Sequence, residues 1–336
     1  GTAEFRPTMF RAAIRGMALR LFGGISDGNT AMAAVDQLFG SLNGPGGQNV
    51  GLLATAYTDA SSELGAYGHG NWKQPIYATN GRLQWRLMRA CRHGEDEQVL
   101  SDLLAALHGL TMSLGGFGRG WRRPDHRVFL SSYGKTPLGC HWQWREPDEL
   151  PRWIDVQTGE DLSRLMQRSR ELAEAWLKVI GQPPGKTASW REVIQPDRMR
   201  VWWRTASDVE DAELVHWFHG DLKRTALGGQ MNQVGRLWNR LLPLRSTATS
   251  AQAASPMARP ASPMARPAAL ARGAAMARPG AARQQAAPRG EVSINVHRGA
   301  FLETVVLFPD QREAPAFIDS MNRGEGAQAG FRPVRF

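Results

Sequence analysis

The feature that most constrains this chain is a repeat that cannot join a core. Ser255-Pro256-Met257-Ala258-Arg259-Pro260 recurs as Ser262-Pro263-Met264-Ala265-Arg266-Pro267, and Met276-Ala277-Arg278-Pro279 echoes both. Proline removes backbone donors from helix and sheet, and Ala, Ser and Gly carry too little apolar surface to offset the entropy of ordering. Residues 246–290 are therefore expected to be a disordered or extended linker or insertion. The main part of the domain is expected in 1–245. Residues 291–336 are too short a piece to be comfortable alone, so they are expected to supply closing strands and a helix to the same domain. A small separate domain on a tether is the alternative.

The repeat also bears most of the charge argument. The chain has 336 residues and a net charge of +10, and residues 246–290 hold six arginines with no Asp, Glu or Lys. More than half of the excess thus lies outside the expected core, and local clusters are more informative than the total. Arg6, Arg11, Arg15 and Arg20 face only Glu4 in the first twenty residues, and Arg119, Arg122, Arg123 and Arg127 face only Asp125. No apolar run approaches the roughly 18 residues of a membrane span, and the start lacks signal-peptide order. Cys91 and Cys140 stand without CxxC spacing, which suits a reducing compartment and points to the cytoplasm.

Periodicity predicts a mixed α+β chain. A helix is expected from Pro7 to Phe22, with Phe10, Ile14, Met17 and Leu21 as its apolar stripe and Gly23-Gly24 as its end. Asn29 would cap a second helix running to Leu38. Between Gly40 and Gly70 surface loop is expected, with a short strand at Val50–Tyr57. Leu83, Trp85 and Leu87 alternate with Arg82, Gln84 and Arg86 and read as a half-buried strand, although Arg82, Arg86 and Arg89 also share helical spacing. A helix opens in Glu95-Asp96-Glu97 with Val99, Leu100, Leu103, Leu104 and Leu107 inward. Further on, Arg127–Leu130 reads as a strand and Asp161–Ile180 as a helix burying Leu162, Leu165, Met166, Leu172, Trp176 and Leu177. Met199, Val201 and Trp203 alternate with Arg200, Trp202 and Arg204, a strand with a basic, aromatic second face. Helices are expected at Asp208–His219, capped by Ser207, and at Val234–Leu242. Strands at Val292–His297 and Leu302–Phe308 and a helix at Ala314–Met321 close the chain.

The segment Leu114-Gly115-Gly116-Phe117-Gly118-Arg119-Gly120-Trp121-Arg122-Arg123 gathers four glycines, two aromatics and three arginines. Glycines let backbone approach a ligand, while interleaved arginines and aromatic rings offer phosphate forks and stacking faces for single-stranded nucleic acid. The segment follows a helix, whereas dinucleotide and P-loop sites place phosphate at the start of a following helix. No GxxxxGK[ST] occurs.

Other constellations are thinner. Asp27 and Asp36 flank a glycine-bearing turn, and Asp27 is the candidate for RNA cleavage with Mg²⁺ or as a general base, with turn capping as the plainer role. His216 and His219 lie three apart but have no third ligand at matching spacing, so no metal site is assigned. Asp125-His126 pairs a carboxylate with an imidazole. Trp72, Trp85, Trp121, Trp142, Trp144, Trp202 and Trp203 are possible stacking faces.

Taken in order, Phe5-Arg6-Pro7-Thr8 entering Arg11-Ala12-Ala13-Ile14-Arg15-Gly16, then Leu38-Phe39-Gly40-Ser41, then strand, helix and Gly115–Arg123 resemble the RAMP superfamily of CRISPR-associated proteins. These include RNA-holding backbone subunits of type III effector complexes. The resemblance covers about residues 1–125. It implies a ferredoxin-like, RRM-related core with long insertions, binding guide RNA and target RNA beside sibling subunits in antiviral defence. Carried over, Arg6, Arg11 and Arg15 would meet RNA backbone, and Gly115, Gly116, Phe117, Gly118, Arg119, Gly120, Trp121, Arg122 and Arg123 would form the glycine-rich loop. The family's first strand, and the loop that holds the Asp of RNA-cleaving members, precede the proline-led helix and are not recognisable here. A target-RNA endonuclease using an Asp, and a basic protein scaffold, remain the alternatives. No cofactor is implied, with Mg²⁺ entering only for cleavage.

Overall fold

A computed structural model describes residues 5–44, 47–67, 74–91, 93–118, 120–129, 139–219, 237–245, 299–309 and 314–336. The repeat at 246–290, the expected strand at Val292–His297, Trp72 and Arg119 lie outside them. The chain is an α+β protein with small antiparallel sheets.

The first helix, α1 (Thr8–Ile25), begins after Pro7 and runs through Gly23-Gly24, past its expected end. The glycines serve close packing. A Cβ on Gly24 would lie 2.0 Å from the Ile194 carbonyl oxygen, and one on Gly23 would lie 2.6 Å from the Trp190 ring. A later segment, residues 185–194, crosses this end of α1, where Gly185, Ala188 and Ile194 donate to the carbonyls of Ile25, Gly23 and Arg20. Helix α2 (Gly28–Phe39) is capped by Asp27, not Asn29: the carboxylate accepts the N–H groups of Asn29 and Thr30.

The expected surface loop is instead mostly sheet. After a small hairpin, β1 (Ser41–Gly44) and β2 (Gly47–Asn49), the strands β3 (Leu53–Tyr67) and β4 (Gln74–Leu87) form a long antiparallel ribbon. Thr, Tyr and Ala in alternation supply its pleat, and a register shift between Asp59 and Ser61 bends it. Leu83 and Trp85 pack inward as their alternation predicts, while Leu87 is 40% exposed. Trp85 Nε1 donates to His108 Nε2 at 3.1 Å, and His108 Nδ1 meets the Leu104 carbonyl at 2.7 Å. This pairing fits a neutral ring, in keeping with the downward shift that burial gives His108.

Helix α3 (Gly94–Leu114) opens in the acidic patch as expected, with His93 N–H donating to Asp96 Oδ2. The expected strand at Arg127–Leu130 is a single helical turn, α4 (His126–Phe129), because Asp125 turns the backbone and its carbonyl accepts from Val128 and Phe129. Two 3-10 turns, Pro147–Glu149 and Arg152–Ile154, lead to α5 (Gly159–Val179). Thr158 and Asp161 cap α5 reciprocally, and it buries all six expected residues.

The second sheet is formed by β5 (Arg200–Ala206), β6 (Leu237–Pro243), β7 (Phe301–Leu307) and β8 (Arg332–Pro333), in the antiparallel order β6-β7-β5-β8. Residues 237–242 were expected to be helical; β7 pairs along this segment instead, and both of its faces are buried. Helix α6 (Glu213–His219) lies between β5 and β6 in the chain, and α7 (Pro315–Arg323) and the short α8 (Glu325–Gln328) between β7 and β8. Asp211, which accepts the Ser207 N–H, occupies a turn where α6 was expected to begin. Leu214 and Trp217 of α6 and Phe317 and Met321 of α7 cover one sheet face with Trp202, Leu241, Phe301 and Val305. Val201, Trp238, Leu302 and Val306 face the other way, into the core shared with α1, α3 and α5.

Two faces of packing explain why the basic face expected on β5 is not a surface. Trp202 is 1% exposed, and the Arg204 guanidinium is buried between Asp211, at 2.6 Å, and Glu303, at 3.6 Å. Glu303 lies in the centre of β7, fully buried, and burial raises its carboxyl to about 8 against the pull of Arg204.

Two outcomes follow. Glu303 keeps its proton in the folded chain from its ordinary value up to about 8, so its contribution is complete below pH 4.5 and is lost as pH rises towards 8. Glu303→Gln should flatten that decline in melts between pH 5 and 8; an unchanged slope would show that another group governs it. Gly24→Ala should cost about 2 kcal/mol or more in denaturant unfolding, because the clash is with backbone rather than a movable side chain.

Candidate nucleic-acid interface

The glycine loop leaves the end of α3 and is pressed between α1 and the outer strand β6. Asn239 N–H of β6 donates to the Arg122 carbonyl at 2.9 Å, so the loop also covers that sheet edge. Several glycines are dictated by what lies around them. A Cβ on Gly116 would stand 2.6 Å from Cys140 Sγ and 3.3 Å from Arg240 Nη1, and one on Gly115 would stand 3.0 Å from the Trp121 ring. Gly118 and Gly120 have φ of +83° and +76°, where side chains are strained.

A groove of about 500 Å³ opens between the loop and α1. Its helical wall carries Met9, Ala12, Ala13, Gly16 and Met17, and the opposite wall carries Gly116 and Gly118. Trp121, Arg20 and Arg122 line it as well. Arg20 and Arg122 both hydrogen-bond to Glu192, at 2.5 and 3.1 Å at their shortest, and Arg191 reaches the same carboxylate at 3.4 Å. The guanidinium carbons of Arg20 and Arg122 lie 5.4 and 4.8 Å from the Trp121 ring centroid. Trp121 packs edge-on against Trp238 with centroids 4.6 Å apart, and Arg20 also lies over Trp238. Burial raises the Glu192 carboxyl, but its hydrogen bond to Arg20 and the charges of Arg20, Arg122 and Arg191 outweigh that, and its pKa is lowered. Three cations therefore share one anion beside the groove.

Among the residues expected to bind, the structure separates several roles. Arg11 donates to the carbonyls of Leu53 and Phe39, and Arg15 pairs with Asp36 at 2.7 Å, so both tie α1 to its neighbours. Phe117 is 4% exposed, with Phe10 and Trp142 edge-on to it, which leaves its ring no face for a base. Arg6 is exposed. The Arg123 side chain is half-buried and forms no ion pair among the described residues. Asp27 is occupied as a cap and also accepts the Thr30 hydroxyl, which lowers its pKa. His216 meets the Glu210 carbonyl at 3.2 Å, and Asp125 and His126 are buried. Trp85, Trp142, Trp144 and Trp203 pack against the main core, as Trp202 does against the second.

Sequence reasoning did not single out Glu192, Trp238 or Arg240. Arg240 is 1% exposed and donates to the Cys140 carbonyl at 2.9 Å, while its Nε and Nη2 have no hydrogen-bond partner among the described residues. The only signal for Trp238 and Arg240 was their alternation on a segment that also fitted a helix; Glu192 had none beyond its place beside Arg191.

Among the described residues no group of side chains is arranged to hold a metal, and no helix is long and apolar enough to cross a membrane. Comparison with family models and with curated proteins finds no match for this chain.

Glu192→Ala would leave Arg20 and Arg122 close together without their shared anion. The expected loss is about 2 kcal/mol in unfolding, less than for a fully buried pair because both arginines are partly exposed. The Glu192 contribution is complete above its unfolded pKa and is lost as pH falls through its lowered folded value. Acid melts of the parent and Glu192→Ala should therefore converge; a gap that persists at low pH would assign the loss to packing.

Proposed function

We propose that the chain is an RNA-binding subunit that holds a strand along the groove between α1 and the glycine loop, with Arg20, Arg122, Arg123 and Arg6 as its cationic contacts. The observation that carries this reading is the cationic excess beside that groove, where three arginines share Glu192. An open groove with surplus positive charge suits a polyanion.

The sheet adds support of a different kind. The sequence β5-α6-β6-β7-α7-β8, with order β6-β7-β5-β8 and both helices on one face, is the connectivity of a ferredoxin-like domain. We read residues 200–333 as that domain. Together with the RAMP-like motifs at residues 5–16, 38–41 and 115–123, it favours a backbone-type subunit of a type III CRISPR ribonucleoprotein, contacting guide RNA, target RNA and neighbouring subunits in antiviral defence. Cleavage through Asp27 is the weaker reading, because both its carboxylate oxygens already serve the cap of α2.

Single-stranded RNA should bind with an affinity that falls steeply with salt. Arg123→Ala should weaken it uniformly across sequences and reduce the magnitude of the log–log salt slope by about 0.7, one lost phosphate contact on a single strand. RNA retention without salt dependence, or no retention, would favour the basic scaffold.

A further inference from the structure

The walls of the groove carry more information than its charge. A site that only tracked phosphates would need cations spaced along a surface, and apolar walls would add nothing. Here α1 presents Ala12, Ala13 and Gly16 on neighbouring turns, so the helix surface is hollowed where larger side chains would fill it. The facing Gly116, itself buried, and the half-buried Gly118 line the groove with backbone and no side chain. Met9 and Met17 add polarizable thioethers, which make favourable contacts with aromatic rings. Arg20 and Arg122 supply positive charge at the same groove. The volume, about 500 Å³, falls in the range of pockets that enclose a small ligand.

We propose that this groove receives one whole nucleoside monophosphate unit, its base lying between α1 and the glycine backbone and its phosphate towards Arg20 and Arg122. The inference rests on the RNA-binding reading and deepens it: the site grips a base as well as a backbone. Apolar walls with a cationic neighbour match a ligand that is flat and apolar on its faces and anionic at one end. Trp121 is not the platform for the base, since Trp238, Arg20, Arg122 and Gly115 all crowd its ring. It holds the two arginines in place. A nucleotide within RNA and a free nucleotide present the same chemistry, and the test distinguishes them.

The test uses the full chain and a fluorescent single-stranded RNA, compared with the same strand made abasic at alternate positions. Adenosine monophosphate, uridine monophosphate and ribose 5-phosphate serve as competitors. The intact strand should bind at least tenfold more tightly than the abasic one, and the nucleotides should compete at least tenfold better than ribose 5-phosphate, in line with the contribution of one packed base. Ala13→Phe should fill the groove and remove most of that preference, so that intact and abasic strands bind alike. Ala12→Phe, at an exposed position on the same wall, repeats the test should Ala13→Phe lose its thermal transition. Direct nucleotide binding that Ala12→Phe abolishes, with RNA binding unaffected, would assign the groove to free nucleotide. RNA binding that is indifferent to bases and to both variants overturns the inference and leaves the RNA reading intact. Absence of any RNA binding defeats that reading, and the nucleotide arm then decides the groove alone.

Discussion

The carboxylate of Glu192 joins three parts of the molecule that the chain order keeps far apart. It belongs to the segment that follows α5 and crosses the end of α1. It accepts Arg20 from α1 and Arg122 from the glycine loop, and those arginines lie against Trp121, which packs on Trp238 of the second sheet. One half-buried anion thus fixes the helical half to the sheet half. A carboxylate can do this because it accepts several hydrogen bonds at once, and charge-assisted bonds are among the stronger ones available. The same contact leaves the groove positive, since one anion does not neutralise three cations.

Close approach is the second constraint, and it explains why glycine recurs where it does. At Gly23 and Gly24 a helix stays helical despite residues that disfavour it, because the crossing segment can then reach the carbonyls of α1. At Gly115 and Gly116 the same logic brings the loop onto Trp121, Cys140 and Arg240. Read from sequence, a glycine pair at a helix end signals termination and a glycine cluster among arginines signals a ligand. Packing against other protein accounts for much of both. It also keeps the loop low enough for a groove to remain beside α1.

What the sequence made legible follows from where its information is local. Helices α3 and α5 have an apolar stripe over five turns and acidic caps, and α5 buries each residue its periodicity marked. The alternation through Leu83 and Trp85 identified β4, and the short strand expected at Val50–Tyr57 caught the start of β3, although nothing local announced its continuation, where residues 58–64 are exposed and largely polar. Strand β6 was misread because it is buried on both faces, so no apolar-polar alternation separates them, and Leu-Trp-Asn-Arg-Leu-Leu suits a helix until β7 pairs with it. The candidate site was half legible. The loop and α1 do come together, but sequence could not tell which arginines would be consumed by partners distant in the chain. Arg11 goes to carbonyls of Leu53 and Phe39, Arg15 to Asp36 and Arg204 to Asp211, and none of these spacings forms a motif.

The count of arginines and the location of usable positive charge are therefore separate quantities in this fold. Arg240 is the extreme case, a guanidinium beneath the glycine loop with two nitrogens unpaired among the described residues, where burial depresses its pKa. In low-dielectric surroundings the field of a buried charge reaches further than that of a solvated arginine. Gly116 brings the loop to within a few ångströms of Arg240. The potential in the groove thus has a buried source as well as the visible one at Arg20 and Arg122. An anion entering between α1 and the loop would feel both, opposed among the described residues by Glu192 beside Arg20 and Arg122 and by Asp125 near Cys140. Small residues on α1 and glycines on the loop then determine how near a ligand in the groove could come to these charges.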